Sequence, residues 1–306
     1  MNGTRGRPVL ARDEQIRGLL LAASIASAIV VWAWVMWSPA SGWDAHVYWS
    51  ASLAHPYASS LAGLPGAYLY SPAFRQAFEP LALLPWPVFH AIWTAVLVGI
   101  VVLLTGPFAI LMFANPMVLF EIQAGNIHLL LALAIVVGFR WPATWAFVLL
   151  TKVTPGIGIL WFALRREWRN LVLAAGATVV VVAISGALQP AAWIEWVQSL
   201  ITNAQIPSSD YTGSLFGPLW MRAPIALAVV TWGALTGRRW TVPVASTIAI
   251  PLLALFNLTL LIALVPIALP GAARFRWNEW LLRSAQSRPA RSPRAAALAG
   301  PEPGQS

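Results

Sequence analysis

Charge is what this chain of 306 residues has least of: only 9% of its residues are charged, whereas 59% are hydrophobic. Soluble domains are roughly half apolar and about a quarter charged. A water-soluble globule of this size would lack the polar residues to cover its surface, and disorder is excluded for the same reason. Cysteine is absent, which removes disulfides, thiolate chemistry and cysteine-based metal sites. Lysine occurs once, as Lys152, against 18 arginines. There is no glycine-rich phosphate loop, which argues against a nucleotide-binding domain and against ATP-driven transport by this chain alone. No HExxH pattern is present, so a zinc site is not expected, and no other metal or cofactor is implied.

What is present is long apolar runs and a mean hydropathy of +0.71. The runs predict an all-α, polytopic membrane bundle. The formal net charge is +9. Its arginines sit at the chain ends and between apolar runs, where they orient a membrane protein rather than bind nucleic acid. The Ala/Arg/Trp/Pro bias points to a GC-rich bacterial genome, and the expected location is the bacterial plasma membrane.

Residues 1–17 are polar and basic (Arg5, Arg7, Arg12, Arg17) and read as a cytoplasmic tail. A first uncleaved span follows over Gly18–Trp37. Residues 38–85 then form an external stretch rich in Trp, Tyr, Pro and Ser, holding Asp44, His46, His55, Arg75 and Glu79. Within it Val47–Leu53 and Pro72–Leu84 suit helices lying on the membrane. Further spans are expected at Val88–Leu104, Leu171–Leu188 and Ala223–Thr236, with a second external loop over 189–222. The multi-spanning domain thus covers 18–273, and 274–306 reads as a basic, disordered cytoplasmic tail that begins with an interfacial helix.

Between Arg140 and Arg165 lie 24 residues, too few for two crossings of roughly 20 residues each. Thr154-Pro155-Gly156 interrupts this segment. It is therefore either one crossing against the charge bias or a short hairpin of two half-length helices. Two neighbouring stretches are alike. Pro107–Glu121 and Ile127–Phe139 flank the polar patch 121–126, and Thr241–Phe256 and Leu258–Leu269 flank Asn257. A helix of about 15 residues is about 22 Å long, short of a hydrocarbon core of about 30 Å. Interrupted helices are tolerated at depth where they line a cavity or are buried in protein. The three polar breaks are therefore expected to meet in one pocket that opens outward.

Several residues there can carry chemistry. Asp44, in GWDAHVYW, suits a general base for an acceptor hydroxyl or a helix N-cap. Lys152 is costly in an apolar setting. It suits a phosphate, or it snorkels to the surface or pairs with a carboxylate. Glu121, Gln123, Asn126 and His128 can bind sugar hydroxyls or a phosphate, or serve as caps and interhelical hydrogen bonds. Tyr48 and its neighbours Trp43 and Trp49 suit a sugar- or lipid-facing surface. Tyr70, Ser71, Pro72 and Arg75 form a turn where Arg75 meets an anionic partner or pairs at the surface with Glu79. Asp210 and Arg222 read as loop charges and Asn257 as a helix-packing residue.

The early aspartate, YSPAF…PLALLP, AGNIHLLLALAIV and LLTKVTPGIGILWFALRREWR together resemble glycosyltransferase family 87, most closely over residues 40–170. The resemblance implies the GT-C membrane fold, a polyprenyl-phosphate sugar donor, and a glycolipid or glycan acceptor outside the membrane. The family includes mannosyltransferases of phosphatidylinositol mannosides and arabinofuranosyltransferases. The family's first-loop aspartate falls on Asp44, as base. Its G-Q-x-N pattern falls on Gly125, Asn126, Ile127 and His128, with Asn for Gln and His for Asn. Its K-x-T-P element falls on Lys152, Thr154 and Pro155, so Lys152 and His128 are assigned to the donor phosphate. Asn126, Glu121, Gln123, Tyr48, Tyr70, Arg75 and Thr154 are assigned to substrate. A late Ser-Pro…Trp-x-His element falls near Phe256-Asn257, where this chain has no histidine. The expected reaction moves a mannose, another hexose or an arabinofuranose with inversion. The rival reading is a transporter or flippase of lipid-linked sugars, which broken helices with midplane charges also fit.

Overall fold

A computed structural model describes residues 10–51, 57, 66–205 and 216–269. Arg5, Arg7, His55, Asp210, Tyr211 and the tail from Arg274 with its expected interfacial helix lie outside the described residues. All described residues are helix, turn or irregular chain, with no strand among them. The fold is the all-α polytopic bundle that the apolar runs imply, with four helices long and apolar enough to cross a membrane, or five if one bent pair counts as a span.

The first, α1 (Leu10–Trp37), begins eight residues before the expected Gly18, taking Asp13, Glu14 and Arg17 into its first turns. Next come α2 (Trp43–Ser50), α3 (Pro72–Ala82) and α4 (Trp86–Thr105). A 3-10 turn, Gly106–Phe108, continues α4 into α5 (Ala109–Phe113), so the expected run Pro107–Glu121 is not one element. Its first half finishes the second span and its second half is α6 (Pro116–Ala124). Ser24 on α1 repairs the break at Pro107: its buried hydroxyl donates to the Pro107 carbonyl (3.0 Å) and accepts from the Ile110 N–H (3.1 Å). Asn115 caps α6 through the Met117 N–H (2.9 Å).

α6 and α7 (His128–Gly138) are bent by 105° at residues 125–127. After a 3-10 turn, Pro142–Thr144, come α8 (Trp145–Thr151), a 3-10 segment Thr154–Ile159 and α9 (Leu160–Leu164). This settles the arithmetic of the 24 residues in favour of the hairpin. Gly156 abuts Leu149 and Gly158 abuts Trp145, so the second arm runs back along the first. The bundle continues with α10 (Trp168–Leu188), α11 (Pro190–Ala204) and α12 (Leu219–Thr236). Then come α13 (Thr241–Ile248), a 3-10 segment Leu255–Ala263 and α14 (Leu264–Ala268).

The two expected external stretches carry helices among their described residues. α3 coincides with the helix expected at Pro72–Leu84 and buries Phe74, Arg75 and Phe78, packing near α2, α8 and α10. Most of 189–205 is α11, held back by Trp193 Nε1 to Ser185 Oγ (3.0 Å) and Trp196 Nε1 to the Leu69 carbonyl (3.2 Å). Arg222, read as a loop charge, is a buried residue of α12.

The arginine-bearing turns gather at one end. Arg165 donates to the Ala234 carbonyl (2.9 Å), and Arg239 sits over the Phe139 ring (5.4 Å), joining the α7, α9 and α12 termini. Consequently the polar breaks at 121–128, 152–154 and 257 lie at the far tips of their hairpins.

Gly125 makes the sharpest of these tips possible. Its φ is +71°, its N–H closes the end of α6 onto the Glu121 and Ile122 carbonyls, and a Cβ there would sit 2.6 Å from the Ala45 Cβ. Gly125→Ala combines a left-handed backbone penalty with overpacking and is expected to cost about 2–4 kcal/mol. Gly176 on α10 has open space where its Cβ would go, and Gly176→Ala is expected to leave stability unchanged or slightly raised. Thermal unfolding of the two variants in detergent checks the contrast.

Candidate active site

The site starts from α2. Gly42 precedes the helix with φ +75°, and its N–H donates to the Gln123 carbonyl (2.7 Å). Ala45 fits against Gly125, and the Gly125 carbonyl accepts from Trp93 Nε1 (2.7 Å). One turn on, Tyr48 is anchored in a buried aromatic cluster with Phe74, Phe78 and Trp93, and its hydroxyl bonds that of Tyr70 (3.0 Å). These contacts fix α2 against the α6–α7 bend and aim Asp44 at it. Asp44 Oδ2 accepts from Asn126 Nδ2 at 2.6 Å. Because Gly42 occupies the N-cap, the capping reading of Asp44 fails. The residue lies in the first turn, where the helix dipole favours an anion.

Asp44 is half-buried. Its carboxyl is pushed up to about 6, first by burial and then by the nearby Glu121 carboxylate. The Lys152 ammonium and the Asn126 amide pull the other way.

Two residues beyond Asn126 stands His128. Its backbone N–H donates to Glu121 Oε1 (2.7 Å), and its ring Nδ1 lies 3.2 and 3.1 Å from the two Glu121 oxygens. Its Nε2 lies 2.8 Å from Lys152 Nζ and 2.9 Å from Asn257 Nδ2. The three polar breaks therefore meet at one imidazole. Asn257 is oriented by the Ala254 N–H, which donates to its Oδ1 (2.6 Å). On either side of Lys152 the hydroxyls of Thr151 and Thr154 are buried, and each lacks a hydrogen-bond partner.

Not every expected residue joins this cluster. The Gln123 side chain reaches Ser38 Oγ (3.4 Å) instead, and only its carbonyl supports α2. Arg75 is not a surface charge. It is 2% exposed and bridges Glu79 (3.2 Å) and Gln189, because α3 packs inward. Tyr70 and Tyr48 border the Asp44 side of the cluster through their paired hydroxyls.

A family model for glycosyltransferase family 87 matches residues 68–291. The chain belongs to glycosyltransferase family 87. It is thereby a membrane glycosyltransferase, a class that takes a sugar donor and an acceptor. The match includes Glu121, Asn126, His128, Lys152 and Asn257, and it begins after Asp44 and α2. Searches of curated proteins and of solved structures returned no match. Where the family resemblance expects a late histidine, this glycosyltransferase has Asn257, and the imidazole beside it comes from His128.

Asn257 is the residue that the sequence reading undervalued, as a packing residue. Its position at the break of a half-length hairpin is the same sign that marked Asn126 and Lys152. Arg222 builds the turn that delivers it: the guanidinium donates to the carbonyls of Gly217 (2.9 Å), Ile248, Ile250 (2.8 Å) and Pro251 (2.8 Å). Arg222→Met leaves these carbonyls without their donor and is expected to cost about 3 kcal/mol. Arg222→Lys should recover only part, since one ammonium cannot span four acceptors. Thermal unfolding of both variants tests this.

Proposed function

We propose that this family 87 glycosyltransferase moves a sugar from a polyprenyl-phosphate donor to a glycolipid or glycan acceptor, with inversion. The sugar is a mannose, another hexose or an arabinofuranose. The observation that carries the reading is that Asp44 and Lys152, both half-buried, border one polar cluster whose other members are sealed inside. A base and a cation are the two groups that a displacement at an anomeric carbon needs when the leaving group is a phosphate.

In the step proposed, Asp44 removes the proton from the acceptor hydroxyl. The hydroxyl oxygen attacks the anomeric carbon, and the bond from that carbon to the phosphate oxygen breaks, its electron pair leaving with the phosphate. The ammonium of Lys152 offsets the charge that develops there. A phosphate stabilised in this way leaves without a general acid. Asn126 holds the base, and Tyr48 and Tyr70 form the adjacent wall.

The side of the membrane follows from charge. Arg140, Arg165, Arg166, Arg238 and Arg239 lie between helices and Arg169 in the first turn of α10, at one end of the bundle. The positive-inside tendency places that end in the cytoplasm of a bacterial cell and the polar tips toward the outer face. The donor's isoprenoid chain then stays in lipid while its phosphate reaches Lys152.

Asp44→Asn tests the reading. Transfer from a polyprenyl-phosphate sugar to membrane glycolipids, followed as a mass shift in the acceptor, should fall by at least about 100-fold. The unfolding temperature should stay as in the parent. Transfer that survives this change excludes Asp44 as the base.

The pH profile gives a second check. The base works deprotonated, so activity should fall as pH drops through about 6, where Asp44 takes up its proton. The Asn126 amide favours the charged form; Asn126→Ala should therefore shift this acid limb to higher pH.

A further inference from the structure

We propose that Glu121, His128 and Asn257 are positioning residues that hold the Lys152 ammonium in place for the donor phosphate, and that none of the three touches substrate. The phosphate half of this statement rests on the proposed function; the hold on Lys152 does not.

Burial separates the two kinds of residue. Glu121 and His128 are 0% exposed and Asn257 is 1% exposed, whereas Lys152 is half-buried. The groups behind the lysine are sealed from a sugar or phosphate, which leaves the lysine as the member of this set that meets the donor in the proposal.

Hydrogen-bond direction then fixes the state of the ring. Glu121 presents a carboxylate to Nδ1, so Nδ1 carries the proton and donates. Nε2 faces two donors, the Lys152 ammonium and the Asn257 amide. The amide cannot turn its oxygen toward the ring, because the Ala254 N–H already holds that oxygen. Nε2 is therefore the acceptor, and the ring is the Nδ1–H form.

The carboxylate behind the ring raises the basicity of Nε2, as a carboxylate does behind a metal-bound histidine. An ammonium has three N–H donors. His128 takes one of them, shared with the amide at a single lone pair, and leaves the others for an incoming phosphate. The lysine, which loses much rotamer freedom on being ordered, is thus ordered before the donor arrives.

A rival account makes Glu121 and His128 only a staple across the α6–α7 bend. Two measurements distinguish them. The first is 15N NMR of histidine-labelled protein in detergent. The Nδ1–H form at His128 is expected, with its Nε2 signal displaced by Lys152→Met. An Nε2–H form or an imidazolium overturns the proposal, as does a signal that Lys152→Met leaves unmoved. This readout needs no glycosyltransferase activity.

The second is binding of a polyprenyl phosphate without sugar, followed by tryptophan fluorescence, to Glu121→Gln, Lys152→Met and the double variant. The glutamine amide in the Glu121→Gln variant retains an acceptor oxygen for both N–H groups of His128, so the fold should persist with an unchanged unfolding temperature. Glu121→Gln is expected to weaken binding about tenfold, and the double variant to bind no worse than Lys152→Met alone. Additive losses overturn the positioning role. Should Lys152→Met bind as tightly as the parent, the proposed donor phosphate site fails, and the NMR result alone decides whether the hold on Lys152 stands.

Discussion

The interaction on which the site depends is the contact of the His128 imidazole with Glu121 on one side and with Lys152 and Asn257 on the other. Three hairpin tips meet there, and each carries polar groups into an apolar surrounding. Glu121, His128, Lys152 and Asn257 engage one another there. An unpaired ammonium or carboxylate at such depth would be costly. The half-length helices persist because their broken backbones and polar side chains converge rather than face lipid.

The bend at 125–127 links this buried arrangement to the open part of the site. Asn126 holds Asp44 and His128 holds Lys152, so two residues in one turn set the positions of base and cation together. Gly125 supplies the backbone conformation that the turn requires and the missing side chain that lets α2 approach. Tyr48, set in its aromatic cluster, stops α2 from rotating. The geometry of the pair is thus defined by close backbone packing as much as by charge.

The sequence revealed the class of fold and the location of the polar breaks, because both are matters of apolar run length. Runs too short to span, interrupted at 121–126, 154–156 and 257, mark the polar breaks whatever their packing. It left the choice at 140–165 open, because charge bias and helix length there pull in opposite directions. The contact of Gly158 with Trp145, which decides it, is a tertiary fact. Arg222 was misread, and Arg75 was rightly paired with Glu79 but wrongly placed at the surface, for a related reason. In a nearly charge-free chain an arginine near an interface looks like a surface group, but both guanidinium groups are buried, Arg222 on backbone carbonyls and Arg75 against Glu79 and Gln189. Residue type alone does not tell a snorkelling arginine from one that caps a broken helix.

Two carboxylates lie near Lys152, and their surroundings assign them different tasks. Glu121 is sealed, and His128 engages both of its oxygens. Asp44 keeps open surface and meets Asn126 through one oxygen. Burial and the Glu121 charge make it more basic than an ordinary aspartate. The inner carboxylate therefore contributes twice to the proposed chemistry without meeting substrate: it makes the ring a better acceptor for the lysine, and its field strengthens the outer carboxylate as a base.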